Sequence, residues 1–305
     1  MPFNYVPADR ESNYEKLSAK LCEDEFYFDM KAALTGLDSP TALYHKTDTH
    51  WNNFGAYAAH TMLMNELGKA PCGTGNGWYV AHDRSGDLAE MLYPAEGAKD
   101  MQLHNDYVPE YEYTSHFRGL DDISITTSCK NGEGRLVMFR DSYGEAILPF
   151  MAECFSEAEF LRAVPYRLGN LKSGDTLIIE LVERNIGNLQ KYAPVMSAPI
   201  RDISDISPEL YDGAKPELLQ EESYGLTHIS GILPEECFTG EDHKIFVKTG
   251  GTAYEAFNCY EAALEETEQK RTPYGFSIYI PTENVGGQMD IIILENDGNS
   301  RIISY

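Results

Sequence analysis

Two short segments carry the residues with the clearest chemical reach. Residues 47–52 read TDTHWN, with Asp48 and His50 two positions apart. Residues 138–150 read MFRDSYGEAILPF, with Ser142 between an apolar run and a helix-like one. A serine hydroxyl is a weak nucleophile on its own. It needs a neighbouring base, and that base needs a group to fix its tautomer. Asp48 and His50 could supply both. A serine at the carboxyl end of a strand, opening a helix, also has its own N–H where unpaired amides and the helix dipole favour an anion. The same residues have plainer uses. Ser142 or Asp141 can cap the helix that follows, and Asp48 or His50 can cap one beginning near Asn52. A metal site drawn from His45, Asp48, His50 and His60 is a third use. However, His45 and His50 are five apart in a non-helical stretch without HExxH-type geometry, so no metal is expected.

The elements that must position these residues alternate in type. NYEKLSAKLCED (13–24) and NNFGAYAAHTMLMNELG (52–68) read as helices, the second closed by Gly68 at a C-cap position. RLVMFRDS (135–142), FLRAVPY (160–166) and DTLIIELVER (175–184) have the length and apolarity of buried strands, and the helical GEAILPFMAECF (144–155) separates the first two. Strands alternating with helices predict an α/β domain with a parallel sheet flanked by helices. Ligands bind at the carboxyl ends of strands in such sheets, which is where Ser142 falls. From about 200 the chain turns polar and Pro-punctuated. Short alternating runs follow at HISGIL, HKIFVKT, AYEAFNCYEAAL, GFSIYIP and MDIIILEND. These predict a small antiparallel β-sandwich over 221–305, after a first domain over 1–220. Alternation puts most of its aromatics, at 254, 257, 260, 274, 276 and 279, in the core.

Composition narrows the partners. The 305 residues carry a formal charge of −25, spread over segments such as CEDE (22–25), QEES (220–223) and LEETE (264–268). Such a field repels nucleic acid and anionic membrane surfaces, so neither is an expected partner. No stretch approaches the ~20 apolar residues that span a bilayer, so membrane insertion is not expected either, and the first residues show no signal peptide. The six Cys contain no CxxC pair, which leaves zinc-ribbon and thioredoxin-like chemistry unsupported. Cys154, in an apolar helical run, reads as buried and inert, and a Cys237–Cys259 disulfide is conceivable.

YHKTDTHWNNFGAYAAH resembles the signature segment of the DHHW/AlgX–AlgJ family, SGNH-hydrolase-like proteins of polysaccharide O-acetylation. RSGDLAEML (84–92) is similar to a Gly-Asp-Leu turn of that family, RDSYG to its serine turn after a strand, and LVERNI (181–186) to a strand ending in Glu-Arg. The order Asp, His, Ser is the family's, the reverse of common SGNH esterases, and the likeness covers about 10–200. It implies a Ser142–His50–Asp48 triad acting through an acyl-serine intermediate, without a cofactor. The reaction would be acetyl transfer or ester hydrolysis on a glycan hydroxyl, with an acetyl donor protein or a small acyl ester as partner and an extracytoplasmic location. The alternative is a carbohydrate-binding or scaffold protein with a vestigial triad. Asn53 and Gly86 are candidate oxyanion donors. Tyr143, Trp51, Arg84, Arg140 and Arg184 are candidate substrate contacts, the arginines for uronate or phosphate. Each arginine has an ion-pair reading beside this one, as Trp51 has a core reading. Two departures stand out. Arg140 replaces a Gly that often precedes Asp-Ser, and only 46 residues precede TDTHWN, so N-terminal elements of the domain are open to being absent.

Overall fold

The computed structural model describes residues 11–73, 77–94, 99–240, 242–259 and 274–305. Tyr260 and the LEETE segment lie outside them. The chain divides into two compact units, Met1–Ala163 with Lys172–Ile186, and Val164–Leu171 with Gly187–Tyr305.

In the first unit the helices are α1 (Asn13–Leu21), α2 (Met30–Thr35), α3 (Asn53–Glu66), α4 (Asp87–Leu92) and α5 (Gly144–Cys154). The strands are β1 (Trp78–Ser85), β2 (Lys99–Asn105), β3 (Glu112–Tyr113), β4 (Ser124–Ser128), β5 (Arg135–Phe139), β6 (Glu157–Leu161) and β7 (Thr176–Ile179). β1 and β2 form an antiparallel pair, and the main sheet runs β3-β4-β6-β5-β7. The three strands read from the sequence are mutually parallel through β5. β4 joins β6 antiparallel and β3 joins β4 antiparallel, so the sheet is mixed rather than parallel. The polar, Thr- and Ser-rich SITTS of β4 lacks the continuous apolar run by which parallel strands are read.

β5 lies between β6 and β7, and four of its five residues are buried. Ile147, Leu148, Met151 and Ala152 of α5 pack on Leu136 and Met138 of β5, Phe160 of β6 and Ala56, Ala59 and Met64 of α3 in one core cluster. Small residues let α3 come in closely: a Cβ on Gly55 would lie 2.2 Å from the Leu43 carbonyl oxygen. A disulfide joins Cys72, beyond α3, to Cys154 at the end of α5, so Cys154 is a covalent tie rather than an inert thiol.

The second unit contains α6 (Asn188–Lys191), β8 (Glu209–Leu210), β9 (Leu218–Ser223), β10 (Leu226–Ile232), β11 (His243–Thr249), β12 (Thr252–Glu255), β13 (Phe257–Asn258), β14 (Gly275–Pro281), β15 (Asp290–Glu295) and β16 (Ser300–Ser304). One sheet runs β13-β14-β10-β9 and another β12-β11-β15-β16-β8. Ile229, Phe276, Ile278 and Ile280 of the first share a core with Ile245, Val247, Ile291, Ile293 and Ile303 of the second. The expected boundary at 220/221 falls inside β9, and this unit begins earlier along the chain.

Candidate active site

The loop before α3 is fixed at many points before any chemistry is asked of it. Tyr44 and Trp51 form an isolated antiparallel bridge, and the Asn52 amide donates to the Leu43 carbonyl at 2.9 Å. Asn52 is the N-cap of α3: its side-chain oxygen accepts from the Gly55 amide at 2.9 Å. Asp48 and His50 are thereby released from capping. The buried Asp100 of β2 accepts from the amides of Lys46 and Thr47, both at 2.7 Å, and from the Thr47 hydroxyl at 2.9 Å. Burial alone would raise its pKa, but these donors leave it lowered. Asp87 at the start of α4 takes the Thr49 amide at 2.8 Å and the Thr49 hydroxyl at 2.5 Å.

Gly86 belongs to this scaffold. The Thr47 carbonyl accepts from the Leu88 and Ala89 amides at 3.1 and 3.2 Å, and a Cβ on Gly86 would lie 2.1 Å from that oxygen. We therefore expect Gly86→Ala to lower stability by ~1–3 kcal/mol through overpacking. Thermal unfolding of the two proteins checks this, and an unchanged midpoint would contradict it.

On this loop, Asp48, His50 and Ser142 form a hydrogen-bonded chain. His50 Nδ1 is 2.6 Å from Asp48 Oδ1, and His50 Nε2 is 2.8 Å from Ser142 Oγ. The His50 amide donates to the same Asp48 oxygen at 3.0 Å, while Arg84 reaches Asp48 Oδ2 through Nε at 2.8 Å and Nη2 at 2.6 Å. Burial would raise the Asp48 pKa; the donors from His50 and Arg84 outweigh it and bring it to about 2. A carboxylate so held stays ionised and can stabilise an imidazolium. Tyr143 flanks His50 at 4.9 Å between ring centres and donates its hydroxyl to the Thr49 carbonyl.

The nucleophile turn follows β5. Asp141, not Ser142, bonds the local backbone: its Oδ1 accepts from the Tyr143 amide at 2.9 Å. Its Oδ2 accepts from the Val182 amide at 2.8 Å and from Asn185 Nδ2 at 2.9 Å, tying the turn to the 3-10 segment Glu183–Asn185. Arg184 of that segment donates from Nη2 to Ser142 Oγ at 3.2 Å.

Below the turn the Asp141 amide donates to Glu180 Oε2 at 3.0 Å, and burial, reinforced by the Asp141 charge, pushes the Glu180 pKa up to about 8. An unfolded chain releases that proton near 4.5, so between those values the folded protein holds a proton that the unfolded one has lost. Stability then falls as pH rises through this window. Glu180→Gln, which cannot titrate, should raise the melting temperature relative to wild type near pH 8 and leave it unchanged near pH 4. An equal gap at both pH values would show that the carboxyl ionises normally.

The remaining candidates fall elsewhere. Arg140 is buried, its guanidinium donates to the backbone carbonyls of Asp141, Leu120 and Asp122, and it forms no ion pair among the described residues. Trp51 is buried in the core, donating Nε1 to the Tyr143 carbonyl at 3.1 Å. The Asn53 amide is taken by Gln102 Oε1 at 3.0 Å. Arg84 is the second partner of Asp48, the ion-pair reading of this arginine. The residues of the metal reading disperse. His45 Nδ1 sits 3.0 Å from the Met101 carbonyl, and buried His60 accepts from the Cys72 amide at 3.2 Å, with burial lowering its pKa to about 4. Asp87 is the group that does join Asp48 and His50, its Oδ2 3.7 Å from His50 Nδ1, with ligand atoms of all three within 4.8 Å. A cation there would have to displace the hydrogen bonds just described. Asp87 and Asp100 were missed in the sequence. The Gly-Asp turn at 86–87 hinted at the first, and nothing local marked the second.

Residues 1–123 match the family model described as the SGNH hydrolase-like domain of the acetyltransferase AlgX. The match contains Asp48 and His50, while Ser142 lies beyond it. The resemblance read from the motifs agrees with this match. Among solved structures, a DHHW family protein from Eubacterium siraeum is similar at 17% identity, covering 58% of this chain and 73% of that one, with a TM-score of 0.42. PatB1 of Bacillus cereus is similar at 15% identity over 57% of this chain and 88% of that one, with a TM-score of 0.38. The O-acetyltransferase domain of Pseudomonas putida AlgJ is similar at 14% identity over 67% of this chain and 73% of that one, with a TM-score of 0.36. No curated protein matches the chain.

Proposed function

We propose that this chain transfers an acetyl group from an ester to a hydroxyl of a polysaccharide, or to water, through an acetyl-Ser142 intermediate. The observation that carries this reading is the chain Asp48–His50–Ser142, at 2.6 and 2.8 Å. Ser142 Oγ attacks the acetyl carbonyl carbon as His50 Nε2 takes its proton, and Asp48 holds the Nδ1 proton and supports the imidazolium. The Ser142 amide, which has no acceptor among the described residues, faces the developing oxyanion. Collapse breaks the ester bond, and the leaving alcohol takes the proton back from His50. The acceptor hydroxyl then gives its proton to His50 and attacks the acetyl carbon; as the bond from that carbon to Ser142 Oγ breaks, His50 returns the proton to Oγ.

The acceptor in this reading is a neutral glycan. A polyanion would need clustered cations to overcome a charge of −25, and Arg140 is buried while Arg84 is committed to Asp48. An acetyl donor protein or a small acyl ester completes the pair of substrates. The Cys72–Cys154 disulfide fits an oxidising, extracytoplasmic setting. No helix among the described residues is long and apolar enough to cross a membrane. We read the second unit as a β-sandwich that holds glycan at a cavity of about 310 Å³ bordered by Phe257, Tyr279, Arg201 and Glu255.

The test is direct. The protein is mixed with p-nitrophenyl acetate, quenched in acid, and its intact mass and peptides are measured. One acetyl group on Ser142, formed with a burst of p-nitrophenol, is the expected result. Turnover with acetyl elsewhere or nowhere would overturn the reading.

A further inference from the structure

A tetrahedral oxyanion next to Ser142 needs more than one donor, and the structure narrows the choice. The Tyr143 backbone amide is taken by Asp141, the Asn53 backbone amide by Gln102, and Gly86 is packed on Thr47. Arg184 remains. It is exposed, its Nη2 lies 3.2 Å from Ser142 Oγ, and its guanidinium carbon lies 6.0 Å from the centre of the Tyr143 ring. Arg84, Arg118, Arg135, Arg162 and Arg201 all pair with carboxylates, whereas Arg184 forms no ion pair among the described residues. In a chain with 49 acidic and 24 basic residues, an unpaired arginine on the nucleophile is a costly use of a cation.

Its place is held from both sides. Asp141 Oδ2 binds Val182 and Asn185, which bracket Arg184, while Asp141 Oδ1 binds the residue after Ser142. A single carboxylate thus sets the spacing between the serine and the guanidinium.

We infer that Arg184 is a catalytic residue that joins the Ser142 amide in holding the oxyanion of the acyl-transfer intermediate. This rests on the acyl-serine reading above. When Oγ adds to the carbonyl carbon, the new oxyanion and Oγ share that carbon, so a donor already on Oγ reaches the oxyanion by a small side-chain rotation. The serine proton goes to His50 Nε2, and Arg184 donates a charge-assisted hydrogen bond throughout without taking a proton. The charged donor is strongest where negative charge is greatest, in the transition state, and so lowers the barrier rather than merely binding substrate.

The experiment compares wild type, Arg184→Ala, Arg184→Lys and Ser142→Ala in p-nitrophenyl acetate hydrolysis, with and without guanidinium chloride at concentrations far below its unfolding range. Arg184→Ala should lose ~100-fold in kcat with KM little changed. Free guanidinium should restore part of that loss while leaving wild type and Ser142→Ala unaffected. Arg184→Lys should fall between, since it keeps the charge but not the fork. Melting curves confirm that the variants are folded. Wild-type turnover by Arg184→Ala overturns the inference, and so does a loss in the folded variant that guanidinium does not relieve. An inactive Ser142→Ala beside a fully active Arg184→Ala overturns the arginine's role alone, whereas a fully active Ser142→Ala overturns the acyl-serine reading itself.

Discussion

Ser142→Ala is expected to lower turnover of an acetyl ester by ~10⁴–10⁶-fold, because triad members act as a unit and removing the nucleophile removes the covalent route. The variant should still fold. Ser142 contributes a hydroxyl with two side-chain partners, His50 Nε2 and Arg184, and no backbone cap. Losing these contacts changes stability by only ~1 kcal/mol. The assay is steady-state release of p-nitrophenol, with the melting temperature measured on the same sample. Undiminished turnover in a folded variant would mean that the 2.8 Å contact with His50 is structural.

Asp48→Asn is expected to cost ~10⁴-fold in kcat, as loss of the orienting carboxylate does in a serine triad. An amide nitrogen turned toward Nδ1 forces the proton onto Nε2, where it points at Ser142 Oγ and can no longer accept. The position leaves no room for water to substitute, since the Asp48 side chain is fully buried under His50 and Arg84. A second readout follows from its depressed pKa. Asp48 ionises near 2 when folded and near 3.8 when unfolded, so its stabilising contribution is present above about 4 and lost as pH falls through 2. The Asn variant should lack that part of the acid-unfolding profile. A variant that keeps turnover within about tenfold of wild type would show that His50 finds its tautomer without Asp48, against the triad precedent.

The segments that the sequence made legible are those whose signals are local. Helix α5 and strand β5 appear in the chain as a periodic run and an apolar run; both start where they were expected, α5 ending one residue early and β5 three. In the sequence the cap of α3 reads as Asp48 or His50, with the helix beginning near Asn52, whereas the N-cap is Asn52 itself. The choice fell to Asn52 once the loop was folded back on Leu43 and held by Asp100, which lies more than fifty residues along the chain. The antiparallel β4 went unseen, since SITTS has no apolar signature of its own and is recruited by pairing with β6.

The three arginines show the division most clearly. Arg84, Arg140 and Arg184 looked alike beside their motifs. Their fates depend on side-chain direction: Arg140 runs inward beneath Gly144, where a Cβ would meet its Cβ at 2.5 Å, while Arg184 is carried to Ser142 by the Asp141 tie. Neither direction is written in adjacent residues.

The sequence by itself determined which residue types were available and in what order, Asp and His before a serine at a strand's end. Helix and strand periodicity are short-range properties, so the supporting elements could be read with them. Only the tertiary structure decided that His50 stands between Asp48 and Ser142, that Arg84 and Asp87 close around it, and that Cys72 reaches Cys154. Apart from the Asp48–His50 pair, those contacts join positions 36 to 92 residues apart. Contacts of that span follow from how sheet, helices and loops pack together, which no local pattern specifies.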